Sequence, residues 1–305
     1  MPEQSETTHI TDQLNLFYSN RILENINFLT TTFNKKFKQY DDLIDILPLK
    51  LKEVKCKGKM IIFVFYRKPK QKSWDSEYKE HKYYYLFCGL GMTGSYGFKI
   101  KNKDNTHLQF QFKVENKEYY PDNIKNLYYT DPRRFSNLEF IMGYDDYLKK
   151  MKKIEKGFLG EYVITKKQFI TNLKKYKENK RRKTDKEICE ILTNQKILCS
   201  GIGNYLVSEI LYSAKINPWK ATSEITTEEI SRIYDSAMKI IKKSYDCNGL
   251  SFSDYVDLNN IQGTYKQHLE VYRQTKTKKG EKVLTRIKSG NRTIYYTKEQ
   301  SKFES

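Results

Sequence analysis

Cys199-Ser-Gly-Ile-Gly-Asn204 is the stretch from which the fold can be read outward. Before it, Ile188, Ile191 and Leu192 fall on one helical face, and after it Leu206, Ile210 and Ala214 do the same. The glycines at 201 and 203 mark a turn between the two. Helix, glycine turn, helix is a layout used on DNA, where the backbone N–H groups of the turn and the start of the second helix meet a phosphate. The pattern predicts helices starting near Asp185 and near Asn204, the second halted at Asn217-Pro218 because proline cannot continue it. Thr165-x-x-Gln168, Thr184-x-x-Glu187 and Thr226-x-x-Glu229 have capping-box form and predict three helix starts. The last introduces a helix whose face carries Ile230, Ile233, Tyr234, Ala237, Ile240 and Ile241.

Upstream of Gly143 the pattern is different. Ile10, Leu14 and Phe17 predict one short helix, and from about residue 50 the chain reads as strands. Lys59-Met-Ile-Ile-Phe-Val-Phe-Tyr66 and Tyr83–Cys88 are apolar, β-branched or aromatic runs, while Leu108, Phe110 and Phe112 alternate with polar residues. Residues 67–82 read as a polar loop, and the succession predicts a β-sandwich or barrel. Downstream of Gly249, Val283–Lys288 and Asn291–Thr297 read as two strands joined through Ser289-Gly290-Asn291. A two-stranded ribbon is marginal alone and is expected to rest on the helical unit or on a ligand.

Composition narrows the partners. The 305 residues carry 56 Lys and Arg against 37 Asp and Glu, a formal charge of +19 that points to a polyanion, nucleic acid before a membrane surface. No apolar stretch approaches the length of a membrane span and no signal-peptide pattern opens the chain, so a basic, intracellular protein is expected. Cys56, Cys88, Cys189, Cys199 and Cys247 form no CxxC pair and read as free thiols. With His9, His81, His107 and His268 equally dispersed, no structural zinc site is expected. The basic run at residues 179–183 reads as a phosphate-facing segment or as a localisation signal.

Met1-Pro2-Glu3 carries a chemical possibility of its own. Once Met1 is trimmed, Pro2 is a free secondary amine with a carboxylate one residue away. A terminal amine, with a reference pKa near about 8 against about 10.4 for lysine, is more often unprotonated at neutral pH. It can attack an aldehyde-like carbon and form a Schiff base. On these residues alone, a proline that merely follows the start and a solvated Glu3 is the commoner case.

Five motifs then stand in one order: Met1-Pro2-Glu3-x-x-Glu6, Gly89-Leu-Gly-Met-Thr-Gly94, Thr130-Asp-Pro-Arg-Arg-Phe135, Gly201-Ile-Gly-Asn204 and Gly290-Asn-Arg-Thr-Ile-Tyr-Tyr296. In this order and context the chain resembles the formamidopyrimidine-DNA glycosylase/endonuclease VIII family over nearly its whole length. It is most similar to the Nei-like glycosylases of large DNA viruses, which share the helix Gly203-Asn-Tyr-Leu-Val-x-Glu-Ile-Leu-Tyr212 and lack the zinc finger. The resemblance implies a multidomain α+β protein: an N-terminal two-layer antiparallel β-sandwich with flanking helices over 1–145, a helix–two-turn–helix (H2TH) domain over 150–250, and a zincless β-ribbon finger over 262–305. DNA is expected in the basic cleft between them.

By motif, the resemblance makes Pro2 the nucleophile at C1′ of the damaged nucleotide, Glu3 the group that moves a proton at the sugar, and Glu6 a second acid near the substrate. Lys59 is implied to hold the phosphate beside the lesion, and Asn204 and Arg292 to bind phosphate. Met92, Arg133 and Phe135 are implied to fill the void left by a flipped base. Each has a plainer reading: a strand-edge lysine, a helix cap, a charged hairpin residue, and sheet core for Met92 and Phe135. The implied activity is a bifunctional DNA glycosylase/AP lyase of base excision repair, favouring oxidised pyrimidines and hydantoins, with β,δ-elimination. A catalytically silent damaged-DNA binding protein of the same fold is the alternative. No cofactor and no metal are expected, and the partner is duplex DNA with oxidised bases or abasic sites, or single-stranded DNA, bound by a monomer in the nucleus, the cytoplasm or a viral replication site. One departure touches the motif: the family carries Gly or Leu and then Pro where this chain has Gln4-Ser5, so a rigid φ beside the amine is lost.

Overall fold

The protein is described from a computed structural model that covers all residues except 1, 32, 34–36, 38, 68–81, 101, 114–123, 180–183, 253–254, 289 and 303–305. Most of the polar loop at 67–82, most of the basic run at 179–183, Met1 and Ser289 therefore lie outside the described residues.

Helix α1 spans Gln4–Tyr18, longer than its apolar spacing predicts, because its first half buries Gln4, Ser5, Glu6, Thr7, Thr8 and Thr11 instead of apolar residues. Among the described residues eight strands follow, with a helix α2 (Tyr40–Asp45) between them: β1 (Ile22–Phe28), β2 (Leu49–Lys57), β3 (Met60–Tyr66), β4 (Tyr83–Gly89), β5 (Ser95–Gly97), β6 (Thr106–Phe112), β7 (Asn126–Thr130) and β8 (Asn137–Met142). They form one antiparallel ladder in the order β5-β7-β6-β1-β2-β3-β4-β8. The ladder doubles over into two layers. Phe63 of β3 lies 6.1 Å from Phe110 of β6 and 5.7 Å from Tyr96 of β5, although three steps of about 4.8 Å separate β3 from β6 along a flat sheet. The core sits inside the fold, with Leu51, Phe63, Leu86, Phe110 and Leu127 buried.

Strands β3 and β4 are covered on both faces, which is why they read as continuous apolar runs. Helix α3 (Tyr144–Lys152) lays Tyr147 and Met151 over Ile62, Val64, Tyr85 and Phe87 on the outer side. The helical unit follows with α4 (Lys166–Glu178), α5 (Ile188–Thr193), α6 (Asn204–Ala214) and α7 (Thr227–Asp246). The capping boxes at Thr165 and Thr226 form. The one expected at Thr184 does not: α5 starts at Ile188 behind Glu187, and the side chain of Asp185 is engaged by Ser223. Pro218 does not end α6 either. Lys215 adopts a left-handed conformation (φ 56°) one residue past Ala214 and closes the helix there.

A second core unites these helices, with Ile188, Leu192, Leu206, Ile210, Ile233 and Ile241 buried. Burying each such side chain contributes about 1.5–3 kcal/mol. The chain then crosses back, placing Tyr255 and Leu258 in the core of the β-sandwich. The ribbon β9 (Val283–Lys288) and β10 (Arg292–Thr297) pairs in register, with Gly290 and Asn291 at positive φ in its turn. It rests on the helical unit: Ile294 is buried in the helical core.

Candidate active site and nucleic-acid interface

The start of α1 lies at the junction of the two cores. Glu3 precedes the helix in an extended conformation, and its carboxylate reaches the N-terminus of α6, accepting from the N–H of Gly203 (2.6 Å), Tyr205 (3.0 Å) and Leu206 (3.4 Å). Free N–H groups at a helix start attract a carboxylate. The glycine turn that opens α6 is thus held by an acid 200 residues away in sequence. Gly203 is demanded by this packing, since a Cβ there would lie 2.4 Å from Glu3 Cδ and 2.5 Å from Lys59 Nζ.

Lys59, in the β2–β3 turn, is half-buried beside Glu3, and the attraction between the two charges opposes the cost of burying them. Burial pushes the Glu3 carboxyl up from its ordinary value; Lys59 pulls it down, Glu6 pushes it up and the Tyr205 and Gly203 N–H groups pull it down again. Burial pushes Lys59 down, opposed by Glu3 and reinforced by Arg292. Burial thus pushes both groups toward their neutral forms, while their attraction favours the charged ones. Glu6 takes a supporting place: one oxygen accepts from the Glu3 N–H (2.8 Å), the other from the Tyr205 hydroxyl (2.9 Å) and the Leu250 N–H (2.6 Å). All of these atoms are buried, so Glu6 braces Glu3 and α6 from behind.

Pro2 and Lys59 line one cleft of about 380 Å³, together with Gly89–Gly91 of the sandwich, Lys150 and Lys153 from the end of α3, and Gln195 and Lys196 of the H2TH turn. A larger cavity of about 740 Å³, between α6, α7 and the segment before β9, holds none of the sequence-predicted site residues. Volume alone does not locate the chemistry; convergence of ionisable groups does.

At the end of β4, Gly91 (φ 60°) packs on the backbone of Phe135, whose carbonyl carbon a Cβ would meet at 2.6 Å. This brings the β4–β5 turn beside the β7–β8 loop. Asp131 ties that loop, accepting from Thr93 Oγ1 (2.7 Å) and the Ser136 N–H (2.8 Å). Met92 (38% exposed) and Phe135 (61%) project outward, and the Arg133 guanidinium lies 4.0 Å from the Met92 sulfur. The sheet-core reading of Met92 and Phe135 therefore fails, and the three side chains form one exposed group.

Asn204 is the first residue of α6 rather than its cap, which is Gly203. Its amide donates to the Thr293 carbonyl (2.9 Å) and so joins α6 to β10, while its buried Oδ1 has no hydrogen-bond partner among the described residues. Arg292 is exposed at the start of β10. Three residues to which the sequence assigned no role complete the frame, two of them (Tyr205 and Glu209) inside the helix motif that opens at Gly203. Gln195 accepts from the Gly201 N–H and donates to the Thr193 and Ile202 carbonyls, shaping the turn. Tyr205 links Glu6 to Ser244. Glu209, inside α6, accepts from the N–H groups of Glu270, Val271 and Tyr272 and fixes the approach to the ribbon. Among the described residues no group of three or more His, Cys, Asp or Glu side chains is placed to hold a metal. The ribbon itself offers neither cysteine nor histidine, so a four-cysteine zinc site does not fit it. No described helix is long and apolar enough to cross a membrane.

A β-sandwich joined to an H2TH unit, with a basic cleft at their junction, defines a class of nucleic-acid-processing proteins. Within that class the chain belongs to the formamidopyrimidine-DNA glycosylase family. Residues 1–138 match the formamidopyrimidine-DNA glycosylase N-terminal domain and residues 167–255 the formamidopyrimidine-DNA glycosylase H2TH domain. The chain is 29% identical over 222 residues to the formamidopyrimidine-DNA glycosylase of Prochlorococcus marinus subsp. pastoris, spanning 71% of this chain and 70% of that one. It is 25% identical over 281 residues to that of Oceanobacillus iheyensis, spanning 90% and 87%. Among solved structures, the MutM (Fpg) protein of Thermus thermophilus shares the fold with a TM-score of 0.76 at 19% identity over 98% of both chains. Lactococcus lactis Fpg, in complex with DNA containing an abasic site, does so with 0.74 at 24% identity over 97% of both.

Proposed function

We propose that this chain is a bifunctional DNA glycosylase and AP lyase of base excision repair whose nucleophile is the amine of Pro2, exposed by loss of Met1. The observation that carries this is the convergence of Pro2, Lys59 and the Glu3 carboxylate where the sandwich meets the glycine turn of α6. In this reading the Pro2 nitrogen attacks C1′, the bond from C1′ to the base breaks, and the base leaves with a proton. Glu3, its carboxyl raised by burial, delivers a proton to the ring oxygen as the sugar opens. The iminium that results makes the C2′ proton acidic. Loss of that proton expels the 3′ phosphate by β-elimination, and a second elimination expels the 5′ phosphate.

Lys59, Asn204 and Arg292 are assigned to phosphates, and Met92, Arg133 and Phe135 to the space left by the flipped nucleotide. The exposure of Met92 and Phe135 supports this, because a side chain must be free of the core to enter a duplex. Units over 1–145, 150–250 and 262–305 are proposed, supported by the two separate cores and the ribbon seated on the second. The ribbon is read as a zincless finger on its donor chemistry, as in the Nei-like glycosylases of large DNA viruses. The substrate reading follows that resemblance: oxidised pyrimidines and hydantoins in duplex or single-stranded DNA, processed by a monomer inside the cell or at a viral replication site. Lesion-panel excision assays test it. Release of thymine glycol or hydantoins with products of β,δ-elimination supports the reading, and exclusive release of 8-oxoguanine overturns the substrate assignment. Tight binding of abasic DNA without strand cleavage would favour the silent binder.

A further inference from the structure

We propose that Gln4 is a positioning residue that fixes the Pro2 amine against the H2TH turn, an inference that rests on the reading of Pro2 as nucleophile. A chain-terminal nucleophile has a covalent tether on one side only. Once Met1 is gone, the direction in which the Pro2 nitrogen points is set by the packing of its own buried ring and by how Glu3 and Gln4 are held. Glu3 is anchored by the N–H groups of α6. Gln4 supplies the second anchor, and it does so with backbone and side chain together. Its N–H donates to the Gly201 carbonyl (3.1 Å). Its side chain leaves α1 for the connector before α4, where Oε1 accepts from the Phe158 N–H (2.8 Å) and Nε2 donates to the Leu159 carbonyl (3.4 Å).

The slot that holds this amide is walled by glycines. A Cβ on Gly157 would come within 2.3 Å of Gln4 Nε2, and one on Gly201 within 2.4 Å of Oε1. Gly201 also sits at φ 104°, a conformation that side chains rarely adopt, and its N–H is the one held by Gln195. One fully buried amide is thus gripped by the connector and by the turn that also carries Gln195, Lys196 and Ser200 into the Pro2 cleft. Two anchors on different segments fix an orientation, where one leaves a pivot. A misplacement of about 1 Å at a reacting atom can cost about 10²-fold in rate.

The test uses full-length protein with Met1 removed and two variants. Gln4→Met keeps the volume and removes both side-chain hydrogen bonds. Gln4→Glu keeps the acceptor for Phe158 and loses the donor to Leu159. The rate of borohydride trapping on abasic-site duplex is read across pH, beside affinity for duplex carrying an unreactive tetrahydrofuran site. The expected result is trapping slowed about tenfold or more in Gln4→Met at every pH, affinity unchanged, and Gln4→Glu in between. Trapping at the wild-type rate in Gln4→Met, or rate and affinity falling together, overturns the proposal. If Gln4→Met does not fold, Gln4→Glu decides on the same criteria. A wild-type protein that cannot be trapped overturns the Pro2 reading itself, and a trapped wild type with unaffected variants overturns only the role of Gln4.

Discussion

Replacing Gly203 with alanine puts a methyl group where the site has no room for one. The new carbon would lie 2.4 Å from Cδ and Oε1 of Glu3 and 2.5 Å from Nζ of Lys59. Non-bonded contacts settle near about 3.5–4.0 Å, so both side chains must retreat by about 1 Å. That movement also stretches the 2.6 Å bond from the Gly203 N–H to Glu3. Overpacking of this kind costs about 1–3 kcal/mol. At about 2–4 °C per kcal/mol, Tm falls by about 2–12 °C. The rate loses more, about 10²-fold, because the displaced groups are those beside the amine. Thermal unfolding and single-turnover base release measure the two effects on the same samples. Gly97→Ala is the control: among the described residues its added carbon would meet only the Lys99 carbonyl, at 3.9 Å, and no change is expected. A Gly203→Ala protein with wild-type Tm and wild-type turnover would refute the packing of Glu3 and Lys59 on the start of α6.

Arg292→Ala is expected to reduce the slope of log affinity against log salt by about 0.9, the release accompanying one phosphate, and an unchanged slope removes Arg292 from the interface. The double change Met92→Ala, Phe135→Ala is expected to leave Tm unchanged, since both side chains are exposed, and to slow excision from duplex by about tenfold or more while sparing single-stranded substrate; equal losses on both substrates would contradict the void-filling assignment. Glu3→Gln separates charge from shape. Because burial raises the Glu3 carboxyl above its ordinary value, the folded protein takes up this proton at higher pH than the unfolded chain. The cost of burying the charge is present above the raised value and is relieved as pH falls toward 4.5. The Tm difference between wild type and Glu3→Gln should therefore shift in favour of wild type on acidification, and a difference independent of pH contradicts the raised carboxyl.

What the sequence made legible was periodic or stereochemically special. The helices at 204 and 227, the double-faced strands β3 and β4 and the ribbon over 283–297 all follow from apolar spacing and turn residues. The Thr184 box and the Pro218 stop misled because local signals lost to tertiary partners: Asp185 is drawn to Ser223, and Lys215 supplies a left-handed cap before proline is reached. The start of α1 was invisible as helix because its buried face is polar, made of Gln4, Ser5, Thr7 and Thr8. Such a face is stable only with partners distant in sequence, as when Ser5 donates to the Ile241 carbonyl of α7. The sequence singled out Glu6 but not its partners, the Glu3 and Leu250 N–H groups and the Tyr205 hydroxyl, all of which its carboxylate accepts from. Spacing marks which residues are chemically unusual; whether they face the cleft or brace it depends on contacts between segments 150 or more residues apart.

In the proposed reaction the Pro2 nitrogen forms the covalent intermediate. The direct measurement is borohydride reduction of full-length protein on DNA with an abasic site, followed by proteolysis and mass spectrometry of the adduct. The expected result is a stable adduct on the N-terminal peptide beginning Pro2-Glu3-Gln4, with the sugar on the proline nitrogen and Met1 absent. An adduct mapped to Lys59 or to any other lysine, or none with Met1-free protein, would contradict it.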